Sequence, residues 1–412
     1  MTKLEQLIND LCPNGVEYKC LGDIGQVKMC KRILKSQTNT TGGIPFYKIG
    51  TFGGEANAFI SEELFQEYRE KYSYPKVGEI LISAAGTIGR TVVYDGELAY
   101  YQDSNIVWLA HDESHVLNTF LKYCYELKPW NVSSGGTIAR LYNDNILKAK
   151  IPIPPLEVQC EIVRILDNFT ELTAELTAEL TARKQQYEYY RDQLLSFENV
   201  PGGGTNKVQW RTLGEISDII SGFPFDSSQF TESGIRLMRG MNVKRGNLDF
   251  SESNNRYWSS YDGLEKYLLD VNDIVIAMDG SLVGKSFGVV TKSQLPLLLV
   301  QRVARIRVTG ANSRYVYHCV ANSFSSYVDS KKTEGAVPHI SLKDISKFKI
   351  PTPPITIQNR IAEVLDNFDA ICSDLNIGLP AEIEARQKQY EYYRDALLSF
   401  DCSHSVNVER AE

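Results

Sequence analysis

The chain has 412 residues, 43% of them hydrophobic and 23% charged, with a formal net charge of −7. That length exceeds one ordinary core and suits two domains with extensions, and the composition is that of a folded soluble protein. No run approaches the roughly 18 apolar residues of a membrane span; eight cysteines lack any CxxC and five histidines lack ligand spacing, so no metal site is expected.

The charge is unevenly placed. Residues 1–150 carry 16 basic and 17 acidic side chains, 151–204 carry 4 and 9, 205–350 carry 19 and 14, and 351–412 carry 5 and 11. Acidity belongs to two stretches with helical patterning. The segments between them are neutral or basic, which leaves room for a local nucleic-acid footprint.

In chain order, the start MTKLEQLINDL is charged and amphipathic, unlike a signal peptide. Val16–Ile24 (VEYKCLGDI) returns later as Val208–Ile216 (VQWRTLGEI). Glu79–Ser83 reads as a short buried strand running into the turn Gly86–Arg90. Such a turn lets the backbone approach a phosphate with Arg90 trailing, or joins two strands with no ligand; both readings stand. Asn118–Leu127 reads as a helix, and Gly136–Tyr142, containing Arg140, precedes Ile151–Pro155 (IPIPP). The prolines stop the first domain, 1–150, and set the direction of the helix that follows.

That helical region, 151–200, has an apolar seam at Ile162, Leu166, Phe169, Leu172, Leu176, Leu180, Tyr187, Tyr190, Leu194 and Phe197. With Arg183 filling the place between Leu180 and Tyr187, ten steps cover 35 residues, and the mean of about 3.5 is the coiled-coil period. Thr173–Leu176 and Thr177–Leu180 are two consecutive TAEL units. Pro201-Gly202-Gly203-Gly204 begins a glycine-rich linker, 201–207, into a second domain, 208–350.

The second domain repeats the frame with different contents. Arg236, Arg239, Asn242, Lys244 and Arg245 fall within ten residues, the types that read base edges and meet phosphates, although an exposed loop also accounts for them. Lys48 takes the position of Arg239 in the first domain. Asp273–Ala277 reads as a strand ending at Gly280–Lys285, which is one residue short of a P-loop and lacks its first glycine, so nucleotide hydrolysis is rejected. Arg302–Val308 partly alternates, with Arg305 and Arg307 on one face and Ala304 and Ile306 on the other. Ser313–Ser323 reads as a helix and Gly335–Ile340 matches Gly136–Tyr142.

The second helical region, 351–402, opens with IPTPP and repeats the first. Arg164–Phe169 (RILDNF) matches Glu363–Phe368 (EVLDNF), and QYEYYRDQLLSF at Gln186–Phe197 matches QYEYYRDALLSF at Gln389–Phe400. Gly378 and Pro380 break or kink this copy. A tail, 403–412, follows. The expected fold is α+β: two mixed α/β domains joined by two long helices that form an antiparallel coiled coil. Leu172, Leu176, Leu180, Tyr187, Tyr190, Arg191, Leu194, Tyr390, Tyr393, Arg394 and Leu397 are the candidates for helix pairing and a partner subunit. Lys48, Arg90, Arg140, Arg236, Arg239, Asn242, Lys244, Arg245, Lys285, Arg305 and Arg307 are the candidates for DNA.

No NPPY or DPPY tetrapeptide, S-adenosylmethionine loop, nuclease pattern or nucleophilic triad is present, so the chain is expected to be non-catalytic. With its TAEL units and its two YEYYRD runs, it resembles a specificity subunit of a type I restriction-modification system, of the subfamily with tetrapeptide repeats in the central helix. The resemblance covers the whole length. It implies two variable target-recognition domains, each reading one half of a bipartite, asymmetric double-stranded DNA site through the major groove. It also implies helices that space the halves and dock two adenine-N6 methyltransferase subunits, with two translocating endonuclease subunits joining them. S-adenosylmethionine would belong to the methyltransferase, ATP and magnesium to the endonuclease, and no cofactor to this chain. The implied location is the bacterial or archaeal cytoplasm. Alternatives are the specificity chain of a fused restriction-methylation enzyme, or a coiled-coil scaffold with protein-binding ends.

Overall fold

A computed structural model describes residues 2–132, 140–197, 208–331, 338–373 and 378–400. The linker 201–207, the tail 403–412, Gly136 and Gly335 lie outside the described residues.

The first module is entered by the helix Lys3–Leu11, where Thr2 and Glu5 form a reciprocal cap. Strand Tyr18–Cys20 pairs antiparallel with Lys150–Pro152, and its repeat Gln209–Thr212 pairs with Lys349–Thr352. Pro152 and Pro351 are thus the strands' own residues, tolerated because a two-stranded ribbon leaves free edges. Pro155 and Pro354 immediately precede the helices at Leu156 and Ile355.

Between those ribbons each module builds the same two sheets. The first has a four-stranded antiparallel sheet in the order Gln26–Lys28, Ile106–Ala110, Ile80–Ser83, Thr91–Val93, and a mixed sheet in the order Phe59–Ile60, Ile44–Tyr47, Tyr100–Tyr101. The second has Ser217–Ser221, Val303–Val308, Ile274–Ala277, Phe287–Val289, and then Tyr257–Trp258, Ile235–Met238, Leu297–Leu299. In both mixed sheets the last pair is parallel.

Both faces of each four-stranded sheet are covered, which explains its unbroken apolar central strand. Ile274, Ile276, Ala304 and Ile306 pack in the core that includes the helix Ser313–Asp329, whereas Val275, Ala277 and Val303 pack with Met238, Leu297 and Leu299 of the mixed sheet. In the first module Ile80, Ile82, Val107 and Leu109 take the helix side, with Asn118–Glu126, and Leu81, Ile106 and Trp108 the mixed-sheet side. A further shared anchor is Gly43 and Gly234, at φ +89° and +130°, where a β-carbon would lie 2.3 Å from the carbonyls of Ile60 and Trp258. Only glycine fits so close an approach at positive φ.

The first helical region is one helix, Leu156–Ser196, of 41 residues. The second is two, Ile355–Ser373 and Leu379–Ser399, interrupted where Gly378 and Pro380 were expected to act. The chain forms two compact units, 1–175 with 383–412, and 176–382. Each therefore contains one module, the near half of one helical region and the far half of the other. In the first unit Phe169 stacks on Tyr393 at 5.3 Å; in the second, Phe368 stacks on Tyr190 at 5.8 Å. Early residues of one copy meet late residues of the other, an antiparallel pairing in each unit.

Candidate nucleic-acid interface

Two sequence motifs come together in each module. In the first, the loop after Lys48 meets the Gly86–Arg90 turn, and Arg90 Nη2 donates to the Gly53 carbonyl at 2.9 Å. In the second, Phe287 N donates to the Lys244 carbonyl at 3.0 Å, which sets Lys244 and Arg245 beside the turn ending at Lys285. Arg245 and Lys285 are exposed; Lys244 has Asp249 at 3.8 Å. The second glycine of each turn has a packing reason. Gly89 and Gly284, at φ +76° and +83°, approach Trp130 and Val328 so closely that a β-carbon would lie 3.0 Å and 2.7 Å from them. Both turns are strand-turn-strand connections.

The first module also has a cleft of about 350 Å³. Lys48 and Arg140 line it together with Arg32 and Lys35, two cations that sequence reasoning passed over. Asp103 is the acid in its wall and pairs with Arg32 Nε at 2.9 Å. Arg140 Nη2 donates to the Ser104 carbonyl at 2.8 Å. The signal for the missed pair was the run Lys31-Arg32-Ile33-Leu34-Lys35, too short to separate from ordinary surface charge.

Several second-module candidates turn inward. Asn242 is 0% exposed; it accepts from the Arg239 amide at 3.0 Å and donates to the Asp249 carbonyl at 2.9 Å. Arg239 donates to the Asn254 carbonyl at 2.9 Å in the same loop, and burial lowers its pKa. Arg305 has a side chain only 4% exposed, ion-paired with Asp218. Arg307 is clamped by Asp273 at 2.7 Å and Asp270 at 2.9 Å. The alternation across Val303–Val308 is present, but that strand is internal to a sheet covered on both faces, so its arginines meet carboxylates of the module. Asn242 and Arg305 therefore leave the set of DNA candidates. Arg239 and Arg307 are committed to the module, and Arg236 lies over the Phe250 ring at 4.9 Å.

The helix candidates divide too. Tyr390 and Leu397 are buried against the first module, the Tyr390 hydroxyl donating to Glu126. Tyr187 and Leu194 pack on the second module's core, and Tyr393 on the first's. Arg191 and Arg394 sit over Tyr187 and Tyr390 at 5.6 Å and 5.7 Å, each paired with the next aspartate. Leu172, Leu176 and Leu180 are half-buried. Among the large hydrophobic side chains of the described helical regions, the most exposed are the matching Tyr189 and Tyr392, at 62% and 63%, which the seam period skipped.

A buried pair that positions the modules was also missed. Gln159 accepts from Leu117 N at 2.9 Å and donates to the carbonyls of His115 at 2.7 Å and Pro154 at 2.8 Å. Gln358 accepts from Asn312 N at 2.9 Å and donates to the Pro353 carbonyl at 2.7 Å. Each glutamine fastens a helix start to the head of a module helix.

This duplicated frame has known counterparts. The profile of the family described as "Type I restriction modification DNA specificity domain" matches residues 13–183 and 206–385, once for each module. The chain belongs to that family. A specificity subunit of the Escherichia coli type I enzyme EcoR124I/EcoR124II is 38% identical over 311 residues, spanning 72% of this chain and 74% of that protein. A putative type I specificity subunit of Haemophilus influenzae is 60% identical over 181 residues, 43% of this chain and 47% of its own length, so the match spans about half of that relative. Among solved structures, the S subunit from M. genitalium aligns over 93% of this chain and 97% of its own, with TM-score 0.57 and 15% identity. A chain from a study of assembly and conformational transition in a type I system aligns over 95% and 99%, with TM-score 0.61 and 14% identity. These last two likenesses are of fold.

Proposed function

We propose that this chain is the DNA sequence-recognition subunit of a type I restriction-modification complex, of the kind with TAEL units in its first helix. Each module reads one half of a bipartite, asymmetric site in double-stranded DNA. The helical regions space the two halves and dock two methyltransferase subunits, and two endonuclease subunits join that assembly. S-adenosylmethionine, ATP and magnesium belong to those partners, and this chain contributes recognition without chemistry.

The observation that carries this reading is the pair of sheets built in the same order in both modules from largely different residues. Repeated architecture with altered surface loops is what two readers of two different half-sites require. Tyr189 and Tyr392 give each helical region an equivalent exposed aromatic for a repeated partner, since aromatics are enriched at the centres of interfaces.

The test exchanges residues 1–150 for the corresponding segment of a relative, in cells that also supply the methyltransferase. Methylation mapping should show one half-site changed and the other kept. A change in both halves, or an unaltered site, would defeat the reading.

A further inference from the structure

The first module carries as many acids as bases within one charge, yet its cleft gathers four cations around one carboxylate. Arg32 meets Asp103 through Nε, and its side chain is 69% exposed. Arg140 commits one terminal nitrogen to Ser104. Among the described residues, the ammonium groups of Lys35 and Lys48 have no hydrogen-bond or ion-pair partner. Like charges gathered in a concave surface repel one another and focus potential outward, which an anion relieves.

We infer that this cleft is a phosphate clamp for the DNA backbone, placed beside the bases that the module reads. This rests on the DNA-reading function proposed above. The four cations of the cleft are the groups that meet a phosphate. Gln102 lines the cleft, but its carbonyl oxygen already accepts from Ile49 N at 2.9 Å. An amide reads adenine by offering a donor and an acceptor together. With one acceptor position of Gln102 already taken, its NH2 donors suit a phosphate oxygen, as do the lysines and the arginine forks. In the more basic second module Arg305 and Arg307 are held by its own aspartates.

The experiment uses the complex of this chain with its methyltransferase, binding duplexes with and without the recognised site over a series of salt concentrations. Each phosphate contact contributes about 0.9 to the slope of log affinity against log salt. The variant Lys35→Ala, Lys48→Ala should lower that slope by about two on both duplexes while the methylated sequence stays the same. Lys71→Ala, outside the cleft, should leave the slope alone, and Lys35→Arg, Lys48→Arg should restore it, which guards against a folding defect. Equimolar free phosphate at matched ionic strength should not compete, since the clamp takes the backbone as part of a polyanion. An unchanged slope in the alanine variant overturns the clamp, as does lost discrimination at one base position with the slope intact. A wild-type complex that shows no preference for any duplex would instead sink the DNA-reading function itself.

Discussion

Gln159 and Gln358 perform one task with the same atoms in two places, joining a proline-terminated turn to the backbone that opens a module helix. Both are buried, so removing the amide leaves backbone groups without partners. Gln358→Leu should cost about 1–3 kcal/mol, read as a lower urea midpoint at unchanged slope. The signal was present in the repeat: each glutamine lies four residues beyond the last proline of its motif, between neighbours that differ. A helical period cannot distinguish a clamp from an ordinary buried face. Glu161 is different, for its repeat position is Arg360. It is buried between Arg164 at 2.7 Å and Lys3 at 2.8 Å, and the Arg164 hydrogen bond, with help from Lys3, holds its pKa down to about 2 from an ordinary 4.5. A lowered folded pKa means stability that is complete above 4.5 and is lost as pH falls toward 2. Thermal melts between pH 6 and pH 2 should therefore show a steeper acid loss in the wild type than in Glu161→Gln. The difference will be softened because both cations are mostly solvent-exposed.

Among the elements, the long helices and the central strands were legible because their patterns are local. A seam period of about 3.5 residues runs from Ile162 along the unbroken 41-residue helix Leu156–Ser196, and short apolar runs ending in glycine became the inner strands. What could not be read was which strand face meets solvent, since alternation in Val303–Val308 gives two faces without saying that a second sheet covers the arginines. The Gly43 and Gly234 positions were likewise hidden, because nothing but Gly-Ile is shared around them. The TAEL units lie within continuous helix, so their length can be tested directly. One more unit adds about 6 Å and turns everything beyond it by about 40°. A base pair advances about 3.4 Å and turns about 35°, given about 10–10.5 pairs per turn. The rotation agrees, and a tilted helix projects less than its full rise along DNA. Inserting a third TAEL after Leu180 should leave both half-sites unchanged and lengthen the unread spacer by one base pair, as methylation mapping will report. An unchanged spacer would refute the ruler.

For the whole molecule, the repeat announced two modules and two helical regions, but not that a compact unit draws on both regions. That fact is non-local: Tyr390, Leu397 and Leu398 complete the core of a module whose strands lie more than 200 residues earlier. Ending the chain after residue 382 should thus remove hydrogen-exchange protection from the first module and spare the second, whose unit is the contiguous segment 176–382. Equal loss in both would contradict this division. The same arrangement has a consequence for manufacture on the ribosome. The first module to emerge waits for its closing helix, Leu379–Ser399, which is made more than 200 residues after its last strand. At about 5–20 residues per second it waits on the order of ten to forty-five seconds with an apolar flank uncovered. The later-made unit can mature during that interval. An interrupted message would leave a well-formed second half tethered to an incomplete first, marked for chaperone or protease by the surface that the missing helix should have hidden.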